Sequence, residues 1–123
     1  MKTGRWLTGI ASVILFLTGI GHSTGIAHVQ KMIVESGVKA PLDVLLKACW
    51  LAFGGEMVAL AVIAVVASAM AGGGRIVLIC AATMFVNAAL LLHVRGPFVG
   101  VYVSVVVAVL LLAGGWMQVR AAA

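Results

Sequence analysis

The stretch from Leu42 to Met70 is nearly all apolar, yet it carries a carboxylate, Glu56, in its middle. About 20 apolar residues in a helix rising 1.5 Å per residue cross the roughly 30 Å hydrocarbon core of a bilayer. A run of this length is therefore a membrane-span candidate. A carboxylate at that depth costs roughly 2.5 kcal/mol or more on insertion scales, so it faces the interior of a bundle, finds a partner or carries a proton.

The rest of the chain repeats the apolar theme. Its 123 residues are 64% hydrophobic and 9% charged, with mean hydropathy +1.27, which leaves too little polar surface for a soluble globule. The net charge of +5 does not point to nucleic acid, because the eight Lys and Arg are spread between apolar runs rather than gathered on one basic face. Cys49 and Cys80 show neither a CxxC nor a Cys/His metal spacing. In the topology below they fall near opposite membrane faces, roughly 20 Å or more apart and beyond disulfide reach.

Punctuation divides the sequence into a single transmembrane domain with spans at about 6–27, 46–70, 76–93 and 98–116. Gly37 and Pro41 separate the first two spans, Gly72 to Gly74 the next, and Gly96-Pro97 the last. Between the first two spans, residues 28–36 place Val29, Met32 and Ile33 on one face and read as a short interfacial helix. Asp43 and Lys47 form an i,i+4 pair near the start of the second span. Val101 to Val109 would suit a strand in a soluble protein, but its length between turn signals favours a membrane helix. The expected fold is all-α: an integral membrane four-helix bundle running up-down-up-down. A cleaved signal peptide is a competing reading of residues 1–27, with a basic start, an apolar run and small residues at Gly25 and Ala27.

Four spans bring Trp6 and Trp116 to one face of the membrane and leave Trp50 and Tyr102 to mark the other. Lys2, Arg5, Arg75 and Arg120 oppose Lys31, Lys39, Lys47 and Arg95, so charge alone sets no orientation. The basic leader before the first span favours both termini on the cytoplasmic side of the cell membrane. Small residues at Gly21-xxx-Gly25, Gly55-xxx-Ala59 and Gly100-Ser104-Ala108 are candidate helix contacts, within the chain, in a homo-oligomer or with a partner membrane subunit.

Counting depth from the Trp50 side places His22, Asn87, Ser104 and Glu56 within about 5–15 Å of that interface, each on a different helix. The opposite half holds the weaker Thr8, Ser12, Ser68 and Thr83. Glu56 is the candidate for a proton-carrying or cation-binding group, or for a carboxyl that only holds helices together. Thr18 and His22 share a face at i,i+4, so His22 is a candidate partner for Glu56 or a metal or haem ligand. His93, on the same side of the membrane, keeps a bis-histidine haem open. Asn87 demands hydrogen-bond partners if buried and shares its face with Cys80. His28 falls in or beside the loop. No phosphate-cradling loop, nucleophile elbow or HExxH is present.

Gly21-His22-Ser23, the loop of about a dozen residues, the Trp50 to Glu56 segment and Leu92-His93-Val94-Arg95-Gly96 together resemble a group of small uncharacterised bacterial four-span membrane proteins. That resemblance implies the four-span layout and brings no catalytic or binding residues. Where such proteins often carry His after the Trp, this chain has Leu51. Small multidrug-resistance transporters are similar in length and span count and use a membrane Glu in their first helix; here it lies in the second.

Three functions follow as expectations. One is a binding or assembly protein with a polar pocket of His22, Glu56 and Asn87 for a small molecule, ion or partner helix. Another is an oligomeric proton-coupled transporter using Glu56, since four spans are too few for a two-repeat carrier in one chain. The third is a membrane enzyme with Glu56 as general acid/base, or a haem or metal redox protein using His22 and His93. Neither a cofactor nor a catalytic residue is assigned.

Overall fold

The computed structural model describes residues 2–123 and contains no strand among them. Its helices are α1 (Lys2–Thr24), α2 (Ile26–Glu35), α3 (Leu42–Ala69), α4 (Gly74–Arg95) and α5 (Val99–Arg120). All but α2 are long and apolar enough to cross a membrane.

Local chemistry explains most of the boundaries. Pro41 stands at the N-cap of α3, where a missing N–H costs nothing. Asp43 lies in the first turn of α3, against the positive end of the helix dipole, with Lys47 Nζ 3.6 Å from its carboxylate. The turn 70–73 requires glycine twice. Gly72 has φ +73°, and a Cβ at Gly73 would run into the Ala67 carbonyl. Gly96 ends α4 with φ +78° and donates its N–H to Leu92 O at 2.9 Å.

Two boundaries differ from the sequence expectation. Residues 2–35 are almost continuously helical, because Gly25 keeps a helical backbone between α1 and α2 and its N–H donates to His22 O at 3.1 Å. The interfacial helix therefore starts at Ile26 and carries His28. At the other end, α5 continues past Trp116 to Arg120 and takes Gln118 into the interior.

Packing runs small side chains inward and large ones outward. Ala11, Ala61, Ala64, Ala67, Ala81 and Ala108 are buried with Leu15, Met57, Val77, Met84, Val107 and Leu111. Leu17, Val62, Val66, Ile79, Val86, Leu90 and Val106 are exposed. Close backbone approach is the stabilising element of such an interior, since small residues give dispersion contacts and bring peptide dipoles together.

The helices meet as a ring with unequal joints. The pairs α4/α5 and α1/α3 share the most contact, α1/α5 somewhat less, and α3/α4 much less although a short turn links them. Gly19 packs on Gly54, where a Cβ would lie 2.7 Å from the Gly54 carbonyl. Gly55, by contrast, has open space around it and Ala59 is exposed, so the expected Gly55-xxx-Ala59 contact points away from the bundle. Of the other expected contact stripes, Gly21 is open and Gly25 meets the Trp50 ring, while Gly100 lies against Phe98, the residue that caps α5; Ser104 and Ala108 of that last stripe are buried as expected.

Candidate functional site

The thin α3/α4 joint is bridged by two polar side chains. Asn87 Nδ2 donates to Glu56 Oε1 at 3.1 Å, with both residues half-buried. They meet because each lies thirteen residues from the turn that joins their helices, Glu56 before Ala69 and Asn87 after Gly74. Phe53 and Leu60, one helical turn either side of Glu56, pack against the core and orient α3 so that the carboxyl points along the joint.

The pair has unused capacity. A carboxylate accepts about four hydrogen bonds and an amide donates two and accepts two. Among the described residues, the single bond between Glu56 and Asn87 is the only side-chain hydrogen bond either one makes. Neither residue has a fully enclosed, unpartnered polar atom, so the remaining capacity is not sealed inside the bundle. A half-buried acid and amide in that state can receive a donor, a cation or a proton.

The other candidate residues are placed apart from this pair or are engaged locally. The His22 ring stacks on Trp50 with centroids 3.8 Å apart and planes inclined by 17°, and Phe53 meets its edge at 5.2 Å. Trp50 Nε1 donates to His22 O at 2.7 Å, so the indole is drawn toward α1 instead of standing free as an interfacial anchor. Ion pairs among the described residues are Lys31–Glu35 and Lys47–Asp43, and the expected pairing of His22 with Glu56 is not formed. Thr18 Oγ1 donates to Ile14 O at 2.7 Å, and Ser104 Oγ donates to Gly100 O at 2.8 Å. Both hydroxyls are thus satisfied within their own helices. His93 is exposed in the last turn of α4. No three His, Cys, Asp or Glu side chains are grouped as for a metal ion among the described residues.

A second polar cluster, at the end of the bundle where α1, α4 and α5 meet, is not anticipated from the spacing of polar residues. Gln118 Nε2 donates to Thr8 Oγ1 at 3.0 Å and to Gly4 O at 3.3 Å; Thr8 Oγ1 donates to Gly4 O at 3.0 Å. A Cβ at Gly114 would lie 2.6 Å from Thr8 Oγ1 and 2.8 Å from Gly4 O, and one at Gly74 would lie 2.9 Å from Gln118 Cβ. The available signal is spacing: Ala108, Leu111, Gly115 and Gln118 form one i, i+3, i+7, i+10 face, all of it buried. Chemically the cluster's donors are spent on Thr8 Oγ1 and Gly4 O; among the described residues Gln118 Oε1 takes no hydrogen bond, and Gln118 borders a cavity with Arg5 and Ser68.

Other cavities lie elsewhere. Grooves follow the outer α1/α3 seam from Lys2 to Leu17, and a third cavity of about 450 Å³ lies between α2, Trp50 and Arg95. Glu56 and Asn87 line none of these three; the pair sits at the α3/α4 joint.

Compared with family models, curated proteins and solved structures, the chain matches none.

Proposed function

We propose that this is a small multi-pass membrane protein, an up-down-up-down bundle, whose Glu56–Asn87 pair binds a polar group of a small molecule, an ion or a partner helix. The observation that carries the reading is the single 3.1 Å bond across the least-packed joint of the four-helix ring, with polar capacity left over on both partners. Membrane insertion is supported by the inverted packing, with large apolar side chains outside and alanines within. The alternating direction of the helices is supported by the facing pairs Gly19 with Gly54, Glu56 with Asn87, and Gly4 with Gly114. The basic leader favours the cell membrane with both termini cytoplasmic.

An apolar carbodiimide, which reaches carboxyls from the lipid phase, tests the site. In native membranes it should modify Glu56 in preference to Glu35 and Asp43, and mass spectrometry of the Glu56→Gln variant should show that adduct gone. Reaction at Glu56 no greater than at exposed Glu35 would remove the binding reading. Oligomeric proton-coupled transport is the second reading, favoured by the same loose joint, where a carboxyl can exchange partners when α3 and α4 separate. Proton-coupled uptake by proteoliposomes that survives Glu56→Gln would exclude it. The haem or metal reading has less support, since no three His, Cys, Asp or Glu side chains are grouped among the described residues.

A further inference from the structure

The outer seam of α1 and α3 carries a feature that the Glu56–Asn87 site does not use. Two grooves, of about 640 Å³ and about 280 Å³, share Val13 and Val65 and so form one continuous furrow. Its floor and walls are Gly9, Val13, Phe16 and Leu17 of α1 against Ala61 and Val65 of α3. At one end stand Lys2, Arg5 and Trp6. Lys2, Arg5 and Gly9 follow at i, i+3 and i+7, which puts both cations directly over the mouth of the furrow.

Its dimensions and charge select an occupant. Lys2 to Leu17 covers about 22 Å at the helical rise, which equals one leaflet of a bilayer of about 40–45 Å including headgroups. The charged end holds two cations and no acid: none of Glu35, Asp43 and Glu56 lines the furrow, and neither Lys2 nor Arg5 takes part in the ion pairs formed among the described residues. Trp6, 73% exposed, stands where an indole meets the headgroup layer.

Building on the membrane reading above, we propose that this furrow is a binding site for one anionic phospholipid, with Lys2 and Arg5 on its phosphate and an acyl chain along Gly9, Val13 and Val65. Gly9 provides a clean test because a Cβ there meets nothing within 4 Å. Gly9→Phe fills the furrow from inside without pressing on the fold.

The protein is reconstituted in bilayers of equal phosphatidylglycerol and phosphatidylcholine, and native mass spectrometry reads the lipid that leaves with it. One phosphatidylglycerol per chain is expected, enriched about tenfold over phosphatidylcholine. In the Lys2→Gln, Arg5→Gln double variant the enrichment should fall to parity, and in Gly9→Phe the retained lipid should disappear with both cations in place. Equal retention of the two lipids, enrichment that survives the double variant, or loss of a chain–chain complex instead of lipid in Gly9→Phe would each overturn the site. Failure of the unmodified chain to enter either lipid would overturn the membrane reading and this site with it; insertion without lipid preference overturns this site alone.

Discussion

The two polar clusters of this bundle are built from similar groups in opposite surroundings. Gln118, Thr8 and Gly4 are enclosed where glycines bring three helices into backbone contact, and their hydrogen bonds close on one another. Glu56 and Asn87 share a single bond across the loosest joint of the four-helix ring and keep part of their surface open. In apolar surroundings donors that are all paired hold helices together, whereas a carboxyl and an amide that share one bond remain able to bind something else. The contrast makes the first cluster structural and the second the candidate site, and it predicts that stability and reactivity will separate between them.

The largest effect is expected where the closed cluster is forced apart. Gly114→Leu puts side-chain atoms onto Thr8 and the Gly4 carbonyl and should lower unfolding free energy in detergent by about 1–3 kcal/mol or more. Gly55→Leu, one residue from the site but facing open space, should stay within about 0.5 kcal/mol. Equal losses would mean that the two regions are packed alike.

That pair of glycines also marks what can be read from the chain alone. Helix number and order are legible because Pro41, Gly72 to Gly74 and Gly96-Pro97 interrupt long apolar runs. That Glu56 and Asn87 lie at a similar level is legible too, since counting from the Trp50 side puts both in one layer, and their side chains meet there. Rotation is not. A helix apolar on all sides has no periodic stripe to show its inner face, so Gly55-xxx-Ala59 and Gly54 are equal candidates by spacing, although one residue turns a helix by about 100°. Gln118 is hidden for a related reason: a polar residue just past an apolar run reads as a solvated end until the helix is known to continue to Arg120.

A smaller loss follows from removing one donor of the closed cluster. Gln118→Leu deletes two hydrogen bonds, but Thr8 Oγ1 still donates to Gly4 O. The orphaned capacity is therefore slight, and about 1–2 kcal/mol is expected by the same unfolding measurement. Trp50→Phe should cost less again, about 0.5–1 kcal/mol. The ring still covers His22, and His22 O keeps the Gly25 N–H when the indole donor is gone.

The smallest change in stability is expected at the open pair, together with the clearest change in chemistry. Glu56→Gln keeps an acceptor oxygen for Asn87 Nδ2, so its unfolding free energy should move by less than about 0.5 kcal/mol. Asn87→Leu removes the bond and should cost about 0.6 kcal/mol, the usual scale for one interhelical hydrogen bond in a membrane. Combined, the two substitutions should show a coupling no larger than that. Carbodiimide reaction should nevertheless vanish in Glu56→Gln. It should persist in Asn87→Leu, where the carboxyl has lost the one side-chain partner it has among the described residues. If instead the Asn87→Leu loss matches that of Gly114→Leu, the joint is held by this bond, and Glu56 belongs with Gln118 among the groups that keep the bundle together.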